Sequence, residues 1–90
     1  MSTIVTIVSL DEEEVDVSIS LAPSRKKRIP IASVPLELSE AIGYLEILKP
    51  LIFTVGESYL YVEPDCIDKH VVAVIENGCF SRVTVNGNQV

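Results

Sequence analysis

The sequence predicts a β-rich α+β fold, and three of its features carry that prediction. The dipeptide Asn77-Gly78 stands between two apolar runs, residues 70–76 and 79–85, and Asn-Gly favours the type I′ turn that joins two antiparallel strands. Residues 15–21 alternate apolar and polar side chains, which is the period of a half-buried strand. Residues 36–48 instead carry apolar side chains at the spacing of an amphipathic helix.

Length and composition limit the classes of protein to consider. The 90 residues are too few for two hydrophobic cores, so we expect residues 1–90 to form a single domain. With 48% hydrophobic residues in so short a chain, we expect part of the surface to be covered by a partner or by other copies. The net charge of −6 disfavours general affinity for nucleic acids or membranes.

The first half of the chain predicts strands separated by charged turns. Residues 3–10 place apolar side chains on both faces, as in a strand at the middle of a sheet. The acidic residues 11–14 form a turn into the alternating strand 15–21. The basic residues 25–28 are predicted to be an exposed loop, followed by a short edge strand at residues 29–31 at most, because Pro30 cannot donate a ladder hydrogen bond.

The helix is predicted between two prolines. Pro35 suits a first helical turn, and Lys49-Pro50 ends the segment because the residue before a proline is disfavoured in the α conformation. The apolar stripe of this helix consists of Leu38, Ala41, Ile42, Leu45 and Leu48.

Two hairpins are predicted in the second half. Residues 51–55 and 59–63 flank Gly56-Glu57, where a leading glycine suits a type II′ turn. In the hairpin around Asn77-Gly78, a regular register pairs Ile75 with Phe80 and Val74 with Ser81. That register predicts a buried face made of Val72, Val74, Val83 and Val85. Six or seven short, mostly antiparallel strands result, arranged as a small barrel or sandwich with the helix at one end.

Candidate catalytic and metal-binding residues cluster in one short segment. Residues 63–70 hold three carboxylates, Cys66 and the only histidine, His70, and Cys79 lies across the hairpin. Three candidate ligands fall short of the four that a structural zinc site needs. A nuclease needs an acid-x-lysine pair that Glu76-Asn77-Gly78 lacks, and no third group orients a cysteine–histidine pair. We therefore expect no enzyme activity, no metal and no other cofactor.

Charged clusters are the candidate partner-binding residues. The basic cluster is Arg25, Lys26, Lys27 and Arg28, and the acidic cluster is Asp11, Glu12, Glu13 and Glu14. At the two ends of the strand 15–21 they stand roughly 25 Å apart, beyond the Debye length of about 8–10 Å. The two clusters can therefore neutralise each other only between subunits, which favours a homo-oligomer with head-to-tail contacts.

Together these features favour a non-enzymatic structural or assembly protein. A viral or phage particle component, such as a capsid decoration (cement) protein, is the setting we expect. The alternative is a small binding regulator or inhibitor that uses residues 25–28 on nucleic acid or on an acidic protein partner, although no aromatic residue adjoins the basic cluster to stack on bases. Residues 1–3 carry no charged side chain, so we expect no signal peptide. The expected location is the virion or the cytoplasm.

Overall fold

The protein is built from β-strands arranged in two sheets. The computed structural model describes residues 2–24, 27–38 and 40–89. In chain order its strands are β1 (Thr3–Ser9), β2 (Val15–Ser24), β3 (Lys27–Leu36), β4 (Ala41–Ile47), β5 (Leu51–Val55), β6 (Ser58–Val62), β7 (Lys69–Glu76), β8 (Cys79–Val85) and β9 (Asn88–Gln89). No helix occurs within the described ranges, and hence none there that is long and apolar enough to cross a membrane.

The two sheets share one hydrophobic core. A five-stranded sheet has the order β4-β1-β7-β8-β9, and a four-stranded sheet has the order β3-β2-β5-β6. Only β1 and β7 pair in parallel among the described strands. The five-stranded sheet contributes the side chains of Val5, Ile7, Ile47, Val71, Ala73 and Ile75 to this core. The four-stranded sheet contributes those of Val17, Ile19, Leu36, Phe53, Val55 and Val62. The fold is therefore a β-sandwich.

The predicted helix at residues 36–48 is wrong, and with it the α+β class. β3 ends at Leu36, and a turn follows in which the Glu40 N–H donates to the Glu37 carbonyl oxygen at 3.0 Å. The chain then enters β4, which pairs antiparallel with β1. The protein is all-β over the described residues.

A β-bulge explains why the apolar residues of this strand have the spacing of an amphipathic helix. Val5 pairs with Leu45 and Ile7 pairs with Ile42, so Thr6 faces two residues of β4 instead of one. The extra residue sets Ile42 and Leu45 three positions apart, although both pack against the core. A bulge in a period-two strand thus produces the three-residue spacing of a helix. Leu38 and Leu48, the ends of the predicted stripe, are 49% and 79% exposed.

The β7–β8 hairpin confirms the predicted turn and corrects the predicted register. Asn77 and Gly78 have φ angles of 57° and 74°, as a type I′ turn requires. Ile75 pairs with Phe80 as expected. A bulge then shifts the register, so that Val74 pairs with Arg82 and not with Ser81.

The shifted register changes which side chains of the hairpin are buried. Val71, Ala73 and Ile75 lie in the core, and Val83 and Val85 pack against them. Val72 and Val74 are half-buried and point to the other side of the sheet. The prediction that Val83 and Val85 of β8 face the core is therefore correct, and the prediction that Val72 and Val74 of β7 do so is wrong. One extra residue in a strand reverses which of its side chains lie on the same face as those of its partner strand.

Three other strand predictions are confirmed, although the described residues form nine strands where the sequence predicts six or seven. The strand predicted at residues 3–10 is β1, which lies between β4 and β7 in its sheet. The alternation in residues 15–21 matches β2, whose Val15, Val17 and Ile19 face the core. The second hairpin forms around Gly56, with φ of 56°, and Leu51 pairs with Val62 across it.

Replacing Gly78 by valine tests the type I′ turn. Gly78 has φ of 74°, and no atom lies within 4 Å of a Cβ placed on it, so backbone strain sets the cost of the change. We expect the free energy of unfolding to fall by about 1–3 kcal/mol in a urea titration. Gly78→Asn is the matched control, because asparagine tolerates the left-handed conformation. Equal unfolding midpoints for wild type and Gly78→Val would contradict the turn assignment.

Candidate interaction surfaces

One end of the sandwich gathers four connections between strands. β2 runs antiparallel to β3 and β5, and β1 runs antiparallel to β4 but parallel to β7. The β1–β2, β3–β4, β5–β6 and β7–β8 connections therefore lie at the same end. Hydrogen bonds between segments hold this end together. Among them, the Ser9 N–H donates to the Glu40 carbonyl oxygen at 3.1 Å, and the Phe80 N–H donates to Ser58 Oγ at 3.1 Å.

This surface, here called the acidic end, comprises residues 10–14, 37–38, 40, 56–57 and 77–78. Seven of the chain's thirteen acidic side chains stand there: Asp11, Glu12, Glu13, Glu14, Glu37, Glu40 and Glu57. None of its described residues is a lysine or an arginine. Its six glutamates are exposed, and Leu10 and Leu38 beside them expose 43% and 49% of their surface. The acidic end therefore combines a single sign of charge with exposed apolar side chains.

Asp11 differs from its acidic neighbours because its carboxylate holds the turn of the β7–β8 hairpin. Its Oδ1 accepts a hydrogen bond from the Asn77 N–H at 2.6 Å, and its Oδ2 accepts one from the Gly78 N–H at 2.8 Å. These two bonds fix the β1–β2 connection against the neighbouring turn. Glu12, Glu13 and Glu14 follow on this fixed connection and remain exposed.

The basic cluster is only partly described. Arg25 and Lys26 lie outside the residues that the structure describes. Lys27 and Arg28 are exposed and belong to β3, so for these two residues the predicted loop is wrong. β3 is an edge strand and extends as far as Leu36, well beyond the short strand that the sequence predicts.

Arg28 lies in a second surface, here called the tyrosine patch and defined by Arg28, Ile52, Tyr59 and Tyr61. These four side chains line a cavity of about 240 Å³. Phe53 of β5 packs into the core, so the alternation of a strand turns its neighbour Ile52 to the outer face of the sheet. Ile52 pairs with Tyr61 and is nevertheless only 2% exposed. The outer face of the four-stranded sheet thus carries an apolar cluster of its own.

A cation–π contact joins the two edges of that sheet. The Arg28 Cζ lies 5.3 Å from the centroid of the Tyr59 ring, which is within the range of such contacts. β3 and β6 are the edge strands of the sheet, so these two side chains meet across the outer face of β2 and β5. The β2–β3 pairing also has two register shifts, and bulges of this kind increase local twist and curvature.

Sequence reasoning missed the tyrosine patch because its members are distant in the chain. No aromatic residue neighbours the basic cluster in the sequence, because Tyr59 belongs to a different hairpin. One signal was available in the sequence. The period of a strand places Tyr59 and Tyr61 on one face and Leu60 and Val62 on the other.

The candidate metal ligands do not meet. His70, near the start of β7, forms a hydrogen bond through Nε2 with Thr6 Oγ1 at 3.0 Å. Cys79 pairs with Glu76 at the opposite end of the hairpin, roughly 20 Å away along the strand. Cys66 and Cys79 are both exposed free thiols. Within the described ranges, no three histidine, cysteine, aspartate or glutamate side chains are grouped so that they would hold a metal ion.

No protein-family model, no curated protein and no solved structure matches the chain.

Truncating Asp11 tests its contact with the hairpin turn. Asp11→Ala removes the acceptors of the Asn77 and Gly78 N–H groups, and hydrogen bonds to charged groups contribute about 1.5–3 kcal/mol each when water does not replace them. Because this site is partly open to water, we expect a total loss of about 1–3 kcal/mol in the free energy of unfolding, measured by urea titration. The exposed Glu13→Ala is the matched control and should stay within about 0.5 kcal/mol of wild type. Equal losses in both variants would contradict the structural role of Asp11.

A chelator tests the prediction that Cys66, His70 and Cys79 do not bind a structural metal. The binding energy of a structural metal is part of the folding energy, so removing the metal unfolds a metal-dependent domain. We expect the same melting temperature with and without excess chelator, measured by circular dichroism. A fall of many degrees would show that a metal holds the fold.

Proposed function

We propose that this protein is a non-enzymatic structural subunit that associates with copies of itself or with a larger assembly. A capsid decoration (cement) protein of a virus or phage is the setting that we favour, and recovery of the chain in purified particles would test that setting. One observation carries the proposal: a single subunit exposes two surfaces of opposite charge that share no residue, the acidic end and the tyrosine patch.

Electrostatics supports contact between subunits. The acidic end has exposed glutamates and no cation among its described residues, and the patch has the exposed guanidinium of Arg28. No carboxylate of the described residues forms an ion pair with Arg28. Complementary surfaces on different molecules steer their encounter and fix their relative orientation. Because the two surfaces differ, a contact between them is head-to-tail and builds rings or filaments.

Exposed apolar side chains support a contact that is more than electrostatic. Ile29 and Ile31 of β3 expose more than half of their surface, as do Leu48 and Ile67 elsewhere. Exposed apolar side chains that stand close together, as Ile29 and Ile31 do on β3, are typical of surfaces that partners cover. β3 also contains Pro30 and Pro35, and proline on an edge strand disfavours the addition of another strand. Side-chain contacts therefore suit this protein better than strand addition along β3.

A regulator that binds nucleic acid is the second candidate, and the contact between Arg28 and Tyr59 favours it. An exposed aromatic ring beside cations is the combination that stacks on bases and neutralises phosphates in single-stranded nucleic acid. The net charge of −6 opposes this function, because the acidic end repels the phosphate backbone.

Reversing the basic cluster distinguishes these candidates. We expect the substitution of Arg25, Lys26, Lys27 and Arg28 by glutamate to abolish self-association, because like charges then face each other across the contact. Sedimentation velocity measures the association, and the melting temperature checks that the fold is intact. The control reverses the exposed Lys49 and Arg82, which lie outside both surfaces, and should associate as wild type does.

Salt dependence separates protein contact from nucleic-acid binding. Added salt should weaken self-association only in part, since buried apolar surface persists when charge is screened. The regulatory function predicts a different outcome. The wild-type monomer would then retard single-stranded DNA, and the logarithm of its affinity would fall linearly with the logarithm of the salt concentration. If charge reversal of the basic cluster also abolished this retardation, the structural proposal would be wrong and the regulatory one correct.

A further inference from the structure

We infer that the tyrosine patch is the docking site for the acidic end of a second copy of this chain. The inference rests on the proposed self-association and names the two surfaces that make the contact. Three observations lead to this assignment: the two surfaces have opposite charge, both expose apolar groups, and the β1–β2 connection is held in one conformation by Asp11.

Arg28 is positioned to receive a carboxylate. Its guanidinium lies over the ring of Tyr59, 5.3 Å from the centroid. Stacking uses the face of the guanidinium and leaves the N–H groups at its edge to bind a carboxylate with two parallel hydrogen bonds. Because Tyr59 already holds the arginine, less side-chain entropy is lost when the carboxylate binds.

The remainder of the patch requires an apolar group beside that carboxylate. Ile52 is already buried, at 2% exposure, whereas Tyr59 beside it is 62% exposed. An isolated carboxylate would satisfy Arg28 and leave the exposed aromatic surface of Tyr59 in contact with water. The occupant therefore carries a carboxylate and an apolar side chain close together.

The β1–β2 connection of the acidic end has this combination. Leu10 is 43% exposed and precedes the exposed residues Glu12, Glu13 and Glu14 in the same short segment. The two hydrogen bonds of Asp11 hold the segment in place. A preordered segment loses little conformational entropy on binding, which favours this connection over a flexible acidic peptide.

Two variants that each lose one surface test the docking. The patch variant combines Arg28→Gln with Tyr59→Ser, and it keeps the acidic end. The acidic variant replaces Glu12, Glu13 and Glu14 by glutamine, and it keeps the patch. All five side chains are exposed, so both variants should fold, and equal melting temperatures verify this. The control variant, Glu46→Gln with Glu63→Gln, removes exposed carboxylates that lie outside both surfaces.

Each variant alone should associate about tenfold or more weakly than wild type in sedimentation velocity, because truncating one partner of a paired charge leaves the other unpaired. An equimolar mixture should recover a one-to-one complex and nothing larger. The complex forms because the acidic end of the patch variant binds the intact patch of the acidic variant. Growth stops there because the two remaining surfaces are both defective.

Three results would contradict the docking inference without contradicting self-association. One is that either variant alone associates as strongly as wild type. The others are that the mixture forms no complex, or that it forms assemblies as large as those of wild type. A wild-type chain that stays monomeric up to millimolar concentration would overturn self-association and the inference together. Retardation of single-stranded DNA by the wild-type monomer, lost in the patch variant, would assign the patch to nucleic acid and also overturn the inference.

Discussion

The burial of one face of each sheet against the other is the interaction on which the rest of this structure depends. Phe53, Val17 and Ile7 are fully buried between the two sheets, and each such side chain contributes about 1.5–3 kcal/mol on leaving water. Because every core strand crosses the same interior, the connections collect at the two ends of the sandwich. Carboxylates from distant parts of the sequence consequently meet at one end, although no single segment of the chain contains them all.

Bulges decide which side chains reach that core and which remain outside. The bulge between β1 and β4 turns Ile42 inward along with Leu45, and the bulge between β7 and β8 aligns Val83 with Ala73. Irregularities between β2 and β3 lie instead at the edge of the other sheet, in the strand pair that carries Arg28. The same kind of local defect therefore completes the core in two places.

The two charged surfaces differ in how the fold supports them. The acidic end is ordered through the backbone, since the Asp11 carboxylate binds N–H groups of the Asn77-Gly78 turn. The tyrosine patch is ordered through side chains, since Tyr59 supports the guanidinium of Arg28 above the buried Ile52. Both arrangements restrict groups that would otherwise move freely, which lowers the entropy lost when a partner binds. The self-association that we propose uses one surface of each kind.

By itself, the sequence determined the features that depend on neighbouring residues. The left-handed conformation at Asn77-Gly78, the alternation along β2 and the turn at Gly56 follow from local backbone preference and from the period of a strand. Residues 36–48 could not be assigned in this way, because three-residue spacing arises equally from a helix and from a bulged strand. Pairing with β1 made the segment a strand, and that pairing joins positions far apart in the chain. The contact of Arg28 with Tyr59 and the gathering of seven carboxylates at one end were likewise decided by tertiary structure, since each requires long-range strand pairing that local periodicity does not encode.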